Sequence, residues 1–122
     1  MSITYLRVAG AIIFFVLIFS SGFWLMNAGK PYNNALLNVH KLISIAAVVL
    51  FGVTVFQISK ISALTSIELA TTVVTGILFL GTIISGGLSS ISTMPIIFLI
   101  VHRVTLSLVT ISTTITLFIL LR

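Results

Sequence analysis

Two histidines, His40 and His102, are the side chains of this protein best suited to chemistry near neutral pH. Each is followed directly by a cation, in Asn38-Val39-His40-Lys41 and Val101-His102-Arg103. Imidazole is the commonest protein metal ligand, so the first question is which metal two of them can hold. Zinc and non-haem iron take three or four protein ligands, usually with a carboxylate or thiolate among them. The sequence has no cysteine and a single acidic side chain, Glu68. Haem iron differs, because the macrocycle supplies four equatorial nitrogens and two axial imidazoles complete the octahedron. A pair of histidines and nothing else is thus a complete donor set for one b-type haem. It is an incomplete set for most other metals.

The elements that must position these rings are membrane helices. Of the 122 residues, 59% are hydrophobic and 6% charged, where a soluble domain would be about a quarter charged. Six Lys or Arg and one Glu cannot solvate the surface of such a globule, and the mean hydropathy is +1.37. Soluble enzymes, nucleic-acid-binding domains and disordered regulators are excluded. The net charge of +5 does not imply nucleic acid, because the cations are spread along the chain with no cluster to track phosphates. They read as interfacial anchors, and the expected partner is the lipid bilayer.

A membrane helix needs about 20 mostly apolar residues, and four such spans fit, at about 4–26, 35–58, 66–87 and 95–121. The first is closed by Asn27-Ala28-Gly29-Lys30-Pro31, a glycine, a cation and a proline. Its apolar run continues through Phe23-Trp24-Leu25-Met26 without a small-x-small cleavage pattern, so it reads as a retained span and not a signal peptide. Asn33 or Asn34 caps the second span. Thr65-Ser66-Ile67-Glu68 has the spacing of a capping box for the third. The fourth follows a polar turn, with Ser92 or Thr93 as its expected cap and Pro95 in its first turn. The connections are short, so consecutive helices are antiparallel neighbours. The expected fold is all-α: one integral membrane domain, an up-down-up-down four-helix bundle.

In that bundle the second and fourth helices run in the same direction. His40 falls about six residues past Asn34 and His102 about nine past Thr93, depths that differ by roughly 4–5 Å. Both rings are therefore expected at nearly one level, with the haem between the second and fourth helices. Lys41 and Arg103 would face its propionates, with Lys30, Tyr32, Asn33, Asn34 and Asn38 near the same end. Ser44, Ala47 and Phe51 share the His40 face of the second helix. Phe98, Thr105, Leu106 and Val109 share the His102 face of the fourth. Each ring's second nitrogen is expected to donate one turn back along its own helix, to the Leu36 or Phe98 carbonyl.

This pattern of histidines within membrane helices resembles the transmembrane cytochrome b superfamily, in which b haems are held by histidine pairs inside a four-helix bundle. It looks most like a reduced version of small quinol- or ferredoxin-linked cytochromes and of the cytochrome subunits of membrane oxidoreductases. The resemblance covers the architecture and the two ligands His40 and His102. It implies one low-spin haem b per chain, an electron-transfer role, a quinone as a candidate partner at the haem edge, and a redox subunit or second copy as a protein partner. Relatives with two stacked haems need four histidines; only two exist here, so at most one bis-histidine haem fits.

Two other readings compete. In the first, the histidines only join helices in a cofactor-free accessory subunit. In the second, the chain is a small transporter, which would need polar groups at a broken helix near the midplane; the spans have no central charge and no internal proline. Glu68 reads as a cap and not a proton relay. Gly76, Gly81, Gly86 and Gly87 read as sites of close approach by a neighbouring helix or the cofactor. Tyr5, Trp24 and Tyr32 read as interfacial belt residues, and the Ser and Thr of the fourth span as bonded to their own backbone or to neighbouring helices. Arg7, Lys60 and Arg122 lie at the end opposite Lys30, Lys41 and Arg103. The expected setting is a plasma or prokaryotic inner membrane, with both termini cytoplasmic.

Overall fold

The computed structural model describes residues 2–122. They form four helices, α1 (Ile3–Ala28), α2 (Asn34–Ile61), α3 (Ser66–Ser89) and α4 (Ile97–Leu121), with no strand among the described residues. Helices of 24 to 28 residues rise about 36–42 Å, enough to cross a hydrocarbon core of about 30 Å. All four are long and apolar enough to do so, and the chain is an all-α integral membrane protein. Inside a bilayer each helix satisfies its own backbone polar groups, which is why apolar runs of this length take no other form. Every expected span is present, its ends displaced by at most three residues.

The helix ends follow local chemistry. Gly29 takes φ +72°, a left-handed conformation that favours glycine, and its N–H closes α1 on the Leu25 carbonyl at 3.1 Å. Asn33, not Asn34, caps α2: its Oδ1 accepts from the Ala35 and Leu36 amides at 2.9 and 3.2 Å. The Thr65–Glu68 capping box forms in both directions, at 2.7 Å to Glu68 Oε2 and 3.3 Å to Thr65 Oγ1. The entry to α4 differs from expectation. Neither Ser92 nor Thr93 caps it; Ile96 occupies the cap position with no side-chain bond. Pro95 has no N–H and disfavours helical geometry at Met94, so the helix starts beyond it. Its first turn is drawn from the Pro95 and Ile96 carbonyls, which accept from Phe98 and Leu99.

The chain divides into two compact units, Met1–Phe51 and Gly52–Arg122. In the first, α1 runs antiparallel to the early part of α2. Gly22 of α1 faces His40, and Gly10, twelve residues earlier, faces Leu50. In the second, α3 and α4 are antiparallel: Thr82 meets His102, and Thr75 meets Ser112 and Thr116. The expected antiparallel pairing of chain neighbours holds within each unit.

Small and hydroxylated residues make the inside of the α3–α4 pair. Thr75 and Thr116 have no exposed surface and Val109 keeps 1%. Thr75 Oγ1 lies 2.5 Å from Ser112 Oγ and 2.9 Å from Thr116 Oγ1, and Thr116 also donates to the Thr71 carbonyl at 3.3 Å. The large side chains Ile77, Leu80, Ile84, Ile111 and Phe118 point outwards. That inversion suits lipid, because tails are as apolar as leucine and helices gain more from close backbone approach and interhelical hydrogen bonds.

Candidate functional site

In the first unit the His40 ring is held against α1. Ser21, nearly three-quarters of the way along α1, is buried. Its hydroxyl donates to the Leu17 carbonyl at 2.8 Å, with the Ile18 carbonyl at 3.1 Å, and lies 2.7 Å from His40 Nδ1. Gly22 makes room for the ring: a Cβ there would sit 3.2 Å from His40 Cε1, tighter than an ordinary carbon–carbon contact. Ser44 Oγ donates back to the His40 carbonyl at 2.8 Å. Ala47 and Phe51, one and two turns further along the same face, are buried. Lys41 is exposed.

In the second unit His102 is held against α3 in a closely related way. Its Nδ1 lies 2.8 Å from the Thr82 carbonyl oxygen. A carbonyl can only accept, so the proton is on Nδ1, and in the neutral ring the lone pair is on Nε2. The carbonyl is reachable because of the residue four places on. In a helix the side chain at i+4 leans over the carbonyl at i, and here that residue is Gly86. A Cβ at Gly86 would lie 2.7 Å from His102 Cε1 and 2.8 Å from Nδ1, an overlap. Ser85 Oγ donates to the same Thr82 carbonyl at 3.1 Å. Thr105 bonds back to the Val101 and His102 carbonyls at 2.8 and 3.1 Å. Phe98 and Leu106 are half-buried, Val109 is buried and Arg103 is exposed.

Two expectations need correction. The second ring nitrogens do not turn to Leu36 and Phe98 on their own helices. Both reach across to the preceding helix, where a serine–glycine pair opens a polar group to them. Carbonyls one turn back lie along the helix axis beside the ring's own stem, whereas a ring extending from the helix side meets its neighbour first. Among the α3 glycines, Gly86 alone makes close approach; added Cβ atoms at Gly76, Gly81 and Gly87 would meet nothing within 4 Å. His40 lies seven residues past the α2 cap Asn33, and His102 six past Ile96 at the α4 cap position.

Ser21, Gly22, Thr82 and Ser85 were not singled out by the sequence reading. The signal was present as a recurrence. Ser-Gly stands at 21–22 and again at 85–86, and Val-His-cation at 39–41 and again at 101–103. Among the described residues, no group of three or more His, Cys, Asp or Glu is placed to hold a metal ion. The chain matches no family model, no curated protein and no solved structure.

Proposed function

We propose that the protein is a b-type membrane cytochrome, holding one haem through axial His40 and His102. The observation that carries this reading is the way each imidazole is held. Nδ1 is engaged by a group on the preceding helix, as the outer-shell partner of a ligating histidine would be. For His102 that bond puts the lone pair on Nε2, the nitrogen an iron would take. Gly22 and Gly86 clear the space that lets each ring lie close to its neighbouring helix.

The remaining roles follow from side-chain chemistry. Lys41 and Arg103 are exposed beside the two histidines and supply the positive charge that two propionates need at a polar rim. Lys30, whose ammonium stands 5.8 Å from the Tyr32 ring centroid, adds charge at the end of the first unit that carries His40. Haem supplies one-electron chemistry when bound, and with both axial positions filled by imidazole it leaves no open site for oxygen. The protein's task is then to carry electrons, with a quinone as the small-molecule partner class and a redox subunit or a second copy as the protein partner class. A plasma or prokaryotic inner membrane with both termini cytoplasmic is part of the same reading.

The test is haem retention by purified variants. His40→Ala and His102→Ala, each supplied with haem, should lose the low-spin b spectrum of the parent; retention of that spectrum by both variants overturns the assignment. One observation favours a second reading, a cofactor-free accessory subunit. Each histidine already joins two helices of its own unit through Nδ1. That reading requires the parent to stay colourless in the presence of haem.

A further inference from the structure

We propose that this chain enters the membrane in both orientations, so that its histidine pair is presented near both membrane faces. Orientation is set by Lys and Arg near the ends of the spans, and the face richer in them stays in the cytoplasm; Asp and Glu contribute little. The chain has six such cations. Its helices are joined by connections of four to seven residues, too short to recross a hydrocarbon core of about 30 Å. Successive spans therefore alternate in direction. The α1–α2 and α3–α4 connections share one face, and the α2–α3 connection shares the other with the start of α1 and the end of α4.

The six cations divide three and three. Lys30 stands in the α1–α2 connection. Lys41 lies eight residues past the α2 cap Asn33, and Arg103 seven past Ile96. These are rises of roughly 12 and 10 Å, on helices that overhang the core by several ångströms at each end. Both side chains are exposed and long enough to snorkel to that nearer face. The other face has Arg7, five residues past the α1 cap Ser2, Lys60, next to the last residue of α2, and Arg122, just past α4. Exposed aromatic side chains do not separate the faces, because Trp24 lies towards one and Tyr5 towards the other. With no excess of cations on either face, neither orientation is preferred. The orientation with cytoplasmic termini is then that of about half the chains.

His40 and His102 each lie within the first quarter of their own helix. A single orientation therefore holds the site near one face only. Copies inserted both ways hold one site near each face of the same membrane, and the second copy supplies what a single chain lacks. That consequence rests on the haem reading, whereas the double insertion does not.

The chain has no cysteine, so one introduced thiol reports its own side of the membrane. Thr93→Cys in the α3–α4 connection and Ser62→Cys in the α2–α3 connection, both at exposed positions, are made separately in the full-length protein. Each is labelled with a membrane-impermeant maleimide on bacterial spheroplasts, and the total is read after permeabilisation, which corrects for a variant that accumulates poorly. Both positions are expected to be reached from outside in about half of the chains. Lys30→Gln should raise the outside fraction at Thr93→Cys and Lys60→Gln should lower it, because each removes a cation from one face. A protein in which either position is reached from outside in nearly all chains, or in almost none, overturns the proposal. A half-and-half distribution that neither glutamine variant moves overturns it too. A haem titration of the parent separates the two readings. Double insertion without haem uptake fails the haem reading alone, and haem uptake by a chain of one orientation fails the insertion proposal alone.

Discussion

The two histidine-bearing hairpins use the same residue types with different tolerances. In the first, Nδ1 meets a side-chain hydroxyl that can rotate, and a Cβ added at the facing glycine would lie 3.2 Å from the ring. In the second, Nδ1 meets a backbone carbonyl fixed by its helix, and an added Cβ would lie 2.7 Å from the ring. A hydroxyl accommodates small movements of the ring, whereas a carbonyl inside a helix cannot follow it. The difference teaches that the same residue types can place one ring against a side chain, His40, and the other against the backbone, His102. Sequence recurrence alone does not reveal that division.

The comparison can be broken most sharply at the histidines themselves, where alanine at either position should abolish haem retention in purified protein. The glycines come next. Gly86→Ala must displace the His102 ring or part α3 from α4, and overpacking of this kind costs about 1–3 kcal/mol. Thermal unfolding in detergent should register it, together with weakened haem uptake. Gly22→Ala asks the neighbour to yield by only a few tenths of an ångström, and alanine gains up to about 1 kcal/mol over glycine in a helix. Its stability should lie near that of the parent. Equal losses at the two glycines would erase the proposed asymmetry.

Smaller effects fall away from the rings. Thr75→Val keeps the shape but removes the hydroxyl that meets Ser112 and Thr116. Interhelical hydrogen bonds in membrane proteins average about 0.6 kcal/mol and reach about 1.7, so detergent unfolding should show a loss in that range. The smallest effect is expected from Glu68→Gln, which keeps an acceptor for the Thr65 amide but removes a charge from the α3 N-terminus. The loss should sit at the low end of about 0.3–1 kcal/mol, measured by the same unfolding and diminishing with added salt.

What could be read from the sequence divides along physical lines. The four helices were legible because about 20 apolar residues admit few other structures in a bilayer. The Thr65–Glu68 box was legible because reciprocal bonding fixes its spacing. The start of α4 was misread: polar Ser92 and Thr93 looked like caps, but Pro95 two or three residues later moved the helix beyond their reach. The candidate site was half legible. His40 and His102 stood out as ionisable groups in apolar spans, whereas their partners are an ordinary serine and a backbone carbonyl. A carbonyl has no residue signature at all; only the glycine that uncovers it does. Gly86 was noticed, but without the neighbouring helix nothing separated it from Gly76, Gly81 and Gly87.

The most direct measurement of the central claim is a haem titration of the detergent-purified parent protein, followed by visible spectra before and after dithionite and a pyridine haemochrome assay. The account predicts saturation at one haem b per chain and sharp low-spin bands in both redox states. A protein that stays colourless with haem in excess would contradict it, as would a high-spin spectrum with an axial position open.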